Sequence, residues 1–106
     1  MELFTVELIV SNYYGVLNRI TGLYARRGYN IDSLYVNATE NPDWSRMLIV
    51  SHGDAYVQTQ MVRQLAKLYD VKEVALMTQA NREVLPLPQK MKRSQEHEQN
   101  VLRQRL

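Results

Sequence analysis

Residues 2–39 read ELFTVELIVSNYYGVLNRITGLYARRGYNIDSLYVNAT, and the change of period inside this stretch decides the fold. Phe4, Val6, Leu8 and Val10 recur every second residue, with Thr5 and Glu7 between them, so residues 2–10 are a strand with one apolar face. The loop SNYYG follows. From Gly15 onward the spacing lengthens: Val16, Leu17, Ile20, Leu23 and Tyr24 fall at i, i+1, i+4, i+7 and i+8, the stripe of an amphipathic helix. Arg26 and Arg27 sit in its last turn, where cations favour the helix dipole, and Gly28 suits the left-handed residue after the helix. Asn30 to Thr39 returns to period two, with Leu34, Val36 and Ala38 on one face.

The same unit then repeats. ENPDWS, residues 40–45, is a turn, since Asn-Pro-Asp resists both helix and strand. Arg46 to Ser51 is a third strand. Gly53-Asp54 opens a second helix, with Asp54 as N-cap and Val57, Met61, Leu65 and Leu68 as its apolar stripe. Asp70 to Thr78 is the fourth strand. The order βαββαβ, with residues 2–39 and 46–78 as similar halves, predicts an α+β, ferredoxin-like fold: a four-stranded antiparallel sheet with both helices on one face. Pro86 and Pro88 end the compact region. Residues 89–106 are nearly all polar; Lys92 and Glu96 are spaced as a helical pair, but Met91, Val101, Leu102 and Leu106 are too few for a core. Such a helix is marginal unless a partner covers it.

Composition narrows the function. At 106 residues the chain has room for one core, and its 45% apolar and 23% charged residues are an ordinary globular balance. No apolar run approaches the roughly 18–20 residues of a membrane span, and no signal peptide is visible at the N-terminus. The expected location is the cytoplasm. Without cysteine there are no disulfides, thiol nucleophiles, thiolate zinc sites or iron–sulfur clusters. The net charge of +2 is uneven: residues 1–79 carry seven Lys/Arg against eight Asp/Glu, and residues 80–106 carry six against three. A nucleic-acid module concentrates basic charge on its folded body; here the excess is in the tail, which reads as a solvated end or a contact with an acidic surface.

Catalytic motifs are missing. There is no P-loop, GxGxxG, HExxH or Gly-x-Ser-x-Gly. His52 and His97 lie in different regions, and His52, at a strand end, reads as a half-exposed polar residue rather than a metal ligand. Glu40 and Asp43 fall in a turn, where both are solvated. The pattern is that of a binding or regulatory module. RNA-recognition domains share the strand order, but they stack bases on aromatic residues of the open sheet face. The first strand offers Thr5 and Glu7 there, and RMLIVSHG contains no aromatic residue. Copper-chaperone relatives of the fold need cysteines.

NYYGVLNRITGLYARRGYNIDSLYVNATENPDWSRMLIV resembles the ACT domain of the small regulatory subunit of acetohydroxyacid (acetolactate) synthase. The likeness is carried by Asn12-x-x-Gly15-Val16-Leu17, Arg19, Gly22-Leu23, the block Arg26-Arg27-Gly28-Tyr29-Asn30-Ile31-Asp32-Ser33-Leu34, Thr39-Glu40 and Asp43-x-Ser45-Arg46-Met47. QLAKLYDVKEV also fits. The N-x-x-G-V-L loop is common to many ACT domains; RRGYNIDSL followed by S-R-M is more specific. Residues 1–79 are then the ACT domain, and residues 80–106 a polar, basic tail, helical or partner-bound. The likeness is to the shorter type of subunit; a fragment of a longer one reads the same way.

The resemblance implies a non-catalytic subunit. It would activate a catalytic partner that carries thiamine diphosphate, magnesium and FAD, and confer feedback inhibition, typically by valine. No cofactor is expected on this chain. It also implies side-by-side homodimers joined through a sheet edge, with amino-acid sites at the dimer interface. The implied site residues are Asn12, Gly15, Val16, Asn30 and Ile31. The loop before the first helix suits a carboxylate, because N–H groups there are unpaired and at the positive end of the dipole. Gly15 allows close approach to the backbone. Asn12 and Asn30 offer both donors and acceptors to ammonium and carboxylate, and Val16 and Ile31 would line an apolar pocket. By residue type alone, the first reading is Asn12 as a helix cap, Gly15 as a turn glycine and Asn30 as a turn residue at the strand entry. Arg26, Arg27 and Arg46 are candidates for partner contact, or for solvated and packing roles. Tyr13-Tyr14 departs from the small, acidic or proline residues usual in this loop. These rings would narrow the pocket, change the effector, or pack at the dimer interface. Two rivals remain: a stand-alone amino-acid sensor with another partner, and a purely structural subunit whose pocket the tyrosines close.

Overall fold

The alternation read in residues 3–11 is real packing. In the computed structural model, which describes residues 2–13, 15–78, 82–85 and 87, Phe4, Val6, Leu8 and Val10 are buried on one face of β1 (Leu3–Ser11). α1 (Val16–Arg26), β2 (Ser33–Ala38), β3 (Trp44–His52), α2 (Ala55–Ala66), β4 (Val71–Met77) and β5 (Arg82–Leu85) follow. The strands form one antiparallel sheet in the order β2-β3-β1-β4-β5. β1 is central, so its apolar face meets Ile49 and Met47 of β3 on one side and Leu76 and Val74 of β4 on the other. Over that face lie Val16, Ile20, Leu23 and Tyr24 of α1 and Met61, Val62 and Leu65 of α2, all buried. Burying each such side chain stabilises by about 1.5–3 kcal/mol.

Helix ends follow the local sequence. α1 stops in a Schellman arrangement: Gly28 at φ +70° donates its N–H to Ala25 O (3.1 Å), and Tyr29 N–H reaches Tyr24 O (2.9 Å). α2 starts as expected, with the Asp54 carboxylate accepting from Val57 N–H at 2.9 Å. Leu68 packs on the core from just beyond α2, whose helical residues end at Ala66.

The expected four-stranded sheet has a fifth strand. β5 pairs with β4 from Met77↔Arg82 to Val74↔Leu85 and covers that edge. Leu85 and Leu87 pack against the core, while Arg82 crosses the open face of the sheet to Glu7 (Nε–Oε1 3.2 Å). Besides its ladder with β4, one core-facing leucine and the ion pairs of Arg82 with Glu7 and Glu73 hold this strand, too little for a period-two signal in the sequence. β5 lies within residues 80–106; residues 88–106, including the suggested tail helix, lie outside the described residues. Among the described residues, no helix is long and apolar enough to cross a membrane.

Candidate functional site

The loop after β1 is tied on both sides. Ser11 N–H donates to Asp70 O and Asn12 N–H to Asp43 O, each at 2.8 Å. The Asn12 side chain does not cap α1: its Nδ2 donates to Pro42 O at 3.1 Å, bracing the β2–β3 turn. α1 begins instead at Gly15, with φ +86° and no side-chain cap, and has no acidic residue in its first turn. Its leading N–H groups therefore sit at the positive end of the dipole without a carboxylate neighbour on α1. A side chain at Gly15 would be strained, and its Cβ would lie 3.2 Å from the Arg19 guanidinium.

Tyr13 is turned away from β2. Its hydroxyl donates to Asp70 Oδ1, on the β4 side of β1, whereas β2 lies beyond β3 on the opposite side. Arg19 completes the cluster, with Nε 2.6 Å from Asp70 Oδ2, Nη2 3.1 Å from the Tyr13 oxygen and its guanidinium 5.5 Å from the Tyr13 ring centroid. Partial burial, and then the bonded Asp70, push the Tyr13 phenol up to about 12. The bond to Asp70 also raises Arg19. These residues and Lys67, Leu68 and Tyr69 line a groove of about 330 Å³. Sequence reading matched Arg19 but missed this cluster, since no periodicity links residues 13, 19 and 70. Tyr13 is engaged by Asp70 and Arg19, and Tyr14 lies outside the described residues.

Asn30 and Ile31 are elsewhere. Ser33 is level with Val50 on β3, and Val50 with Thr5 on β1, whereas Asn12 follows Ser11, six residues further along β1. At ~3.3 Å per residue, the six residues from Thr5 to Ser11 span about 20 Å, so the Asn12 loop and the loop that leads into Ser33 lie at opposite ends of the sheet. Within one chain the structure therefore brings Asn12, Gly15 and Val16 together and places Asn30 and Ile31 at the other end. Val16 is 3% exposed and belongs to the core, and Ile31 packs half-buried against it. Asn30 is exposed; its Nδ2 donates to Asp32 Oδ1 at 3.3 Å, and Asp32 Oδ2 pairs with His52 Nδ1. Arg26 and Arg27 are exposed, and Arg46 lies 3.5 Å from Glu7 on the open sheet face.

Residues 6–73 match the family described as AHAS small subunit-like ACT domain. A probable acetolactate synthase small subunit of Archaeoglobus fulgidus is 46% identical over 77 residues, covering 73% of this chain and 48% of that one. The isozyme 3 small subunit of Escherichia coli is 43% identical, covering 70% and 45%. Among solved structures, the acetolactate synthase small subunit of Thermotoga maritima superposes with a TM-score of 0.66 at 36% identity, covering 70% of this chain and 46% of that one. The ACT domain of GTP pyrophosphokinase from Chlorobium tepidum, 21% identical with a TM-score of 0.59 over 72% and 97% of the two chains, shares the fold. The chain spans about half the length of the curated relatives it matches. Matched motifs, matched fold and a family match over residues 6–73 lead to one conclusion: the chain belongs to the family of acetolactate synthase small subunits and carries their type of ACT domain.

Proposed function

We propose that this chain is a non-catalytic regulatory subunit of acetohydroxyacid synthase, activating a cytoplasmic catalytic partner and making it sensitive to valine. The observation that carries the reading is the placement of the site residues relative to an open sheet edge. Among the described residues, β2 pairs on one side only, with β3, and Tyr35 and Val36 are exposed along it. An unpaired strand of this kind recruits another strand. If two copies pair β2 to β2 antiparallel about a two-fold axis, their helices share one face and their strand ends exchange. The Asn12–Val16 loop of one copy then lies beside Asn30 and Ile31 of the other. Residues at opposite ends of the sheet in one chain would form one site in the pair. The joined sheet would contain both copies' five strands.

Each group has a suitable task there. The uncapped start of α1 takes the effector's carboxylate, Asn30 of the second copy takes its ammonium group, and Ile31 meets the apolar side chain. The bond that holds Tyr13 to Asp70, on the β4 side of β1, supports a pocket that Tyr13 does not fill. Valine would act by binding two dimer states unequally, and its effect on the partner cannot exceed that difference, typically about 1–3 kcal/mol. Thiamine diphosphate, magnesium and FAD belong to the catalytic partner.

Calorimetric titration with valine, combined with sedimentation, tests the reading. One or two valines per dimer, with binding lost in Asn30→Ala while the dimer persists, is the expected result. Reconstitution with a catalytic subunit should then show activation and valine inhibition. Valine binding without any effect on synthase activity would identify a sensor for another partner. Activation without amino-acid binding would identify a structural activator.

A further inference from the structure

Asn30 is the side chain on which the effector reading leans most, and it is not alone. The loop before β2 brings Asn30, Asp32 and the last residue of β3, His52, into one chain of contacts. Asn30 Nδ2 donates to Asp32 Oδ1 at 3.3 Å, Asp32 Oδ2 pairs with His52 Nδ1, and Asp32 N–H is fixed to Val50 O at 2.8 Å. An ionised carboxylate only accepts hydrogen bonds, so it is the amide nitrogen of Asn30 that must face Asp32. That sets the orientation of the amide. Its carbonyl oxygen, an acceptor, and its second N–H are turned outward.

The pair has little reason to exist for stability. Asp32 is 28% and His52 46% exposed, and ion pairs this open add little to folding. What distinguishes it is its position, with a charge-changing imidazole at one end and the amide at the other. The other charged groups near His52 are Glu2, next to its β1 partner Leu3, and Asp54, whose carboxylate is engaged at the start of α2. Neither bonds the imidazole; its bond is to Asp32.

Resting on the reading that Asn30 holds an effector's ammonium group, we propose that Asp32 and His52 are positioning residues for the Asn30 amide, and that they couple effector affinity to the charge of His52. With the imidazole neutral, the cluster carries the negative charge of Asp32 beside the outward carbonyl, which favours an ammonium group. With the imidazole protonated, that charge is cancelled and the ammonium group loses the attraction. The same arrangement selects amino acids over the corresponding 2-oxo acids, which lack the ammonium group.

Two measurements on the full chain test this. The first needs no effector: the Asn30 side-chain amide resonances, followed by NMR from pH 8 to pH 5.5. They should move with pH in the wild type and stay fixed in His52→Gln. The second is calorimetric titration with valine over the same range. Affinity should fall several-fold toward pH 5.5 in the wild type and stay within about twofold in His52→Gln. At pH 8, Asp32→Asn should bind about tenfold more weakly and Asp32→Glu recover part of the loss, with the dimer intact in each. Asn30 resonances indifferent to pH, or Asp32→Asn binding like wild type, overturn the inference. If Asn30→Ala binds valine as the wild type does, the effector reading itself falls and takes this inference with it, even where the amide resonances still track His52.

Discussion

Two aspartates, one at each end of the sheet, hold a polar partner on either side, and they differ in burial. Asp70, 4% exposed, receives Tyr13 and Arg19 beneath the loop that starts α1. Asp32, 28% exposed, stands between His52 and Asn30 before β2. A buried acid without its partners is costly, so Asp70 must keep them, and the loop it ties is fixed. An exposed acid exchanges its partners for water at little cost, so the Asp32 cluster can rearrange. The likeness of the two clusters is chemical; the difference in burial makes one a tie and the other an adjustable contact.

The largest effect is expected at the buried end. Asp70→Ala removes the acceptor for both Tyr13 and Arg19, and hydrogen bonds to a charged group contribute about 1.5–3 kcal/mol. Because Arg19 is 47% exposed and can turn to water, we expect a loss of about 2–3 kcal/mol in all, read from the urea midpoint. A loss as small as that of a surface substitution would mean the cluster ties nothing. Tyr13→Phe keeps the ring and removes the hydroxyl that donates to Asp70 and accepts from Arg19, at a cost of about 1 kcal/mol. It also carries a pH signature. The Tyr13 phenol is raised in the folded state, to about 12, so its contribution is complete below its ordinary value near 10 and fades as pH rises through 12. The stability gap between wild type and Tyr13→Phe should therefore narrow above pH 10.

The two helix starts give a smaller contrast. α2 is capped by Asp54 and α1 by no side chain. Asp54→Ala should cost about 1 kcal/mol of stability and leave valine binding unchanged. A change in valine affinity would mean that the start of α2 also belongs to the effector site.

The fold was legible where many weak signals agreed. Phe4 to Val10 present a full face to the core, Val16, Ile20, Leu23 and Tyr24 do the same on α1 while Leu17 of the expected stripe is exposed, and Asp54 and Gly28 mark helix ends by local chemistry alone. β5 was not legible, because Leu85 and Arg82 act through β4 and β1, far away in sequence. The same holds for the Tyr13–Arg19–Asp70 cluster: burial makes Asp70 matter, and burial is a property of the fold. Asn12 and Asn30 were singled out through family motifs. That they sit at opposite ends of the sheet follows only from strand register, and the joint role proposed for them requires a second copy.

The smallest stability effect is expected at the exposed end, and it separates the two clusters most cleanly. Asp32→Asn and His52→Gln leave the core untouched and break only contacts open to water, so each should change stability by no more than about 0.5 kcal/mol. A urea titration showing a larger loss, comparable to Tyr13→Phe, would mean that Asp32 is a second structural tie. A null result in stability combined with weakened valine binding in Asp32→Asn would assign the two acids to different tasks. Asp70 would then hold the loop that receives an effector's carboxylate, and Asp32 would aim the amide that receives its ammonium group.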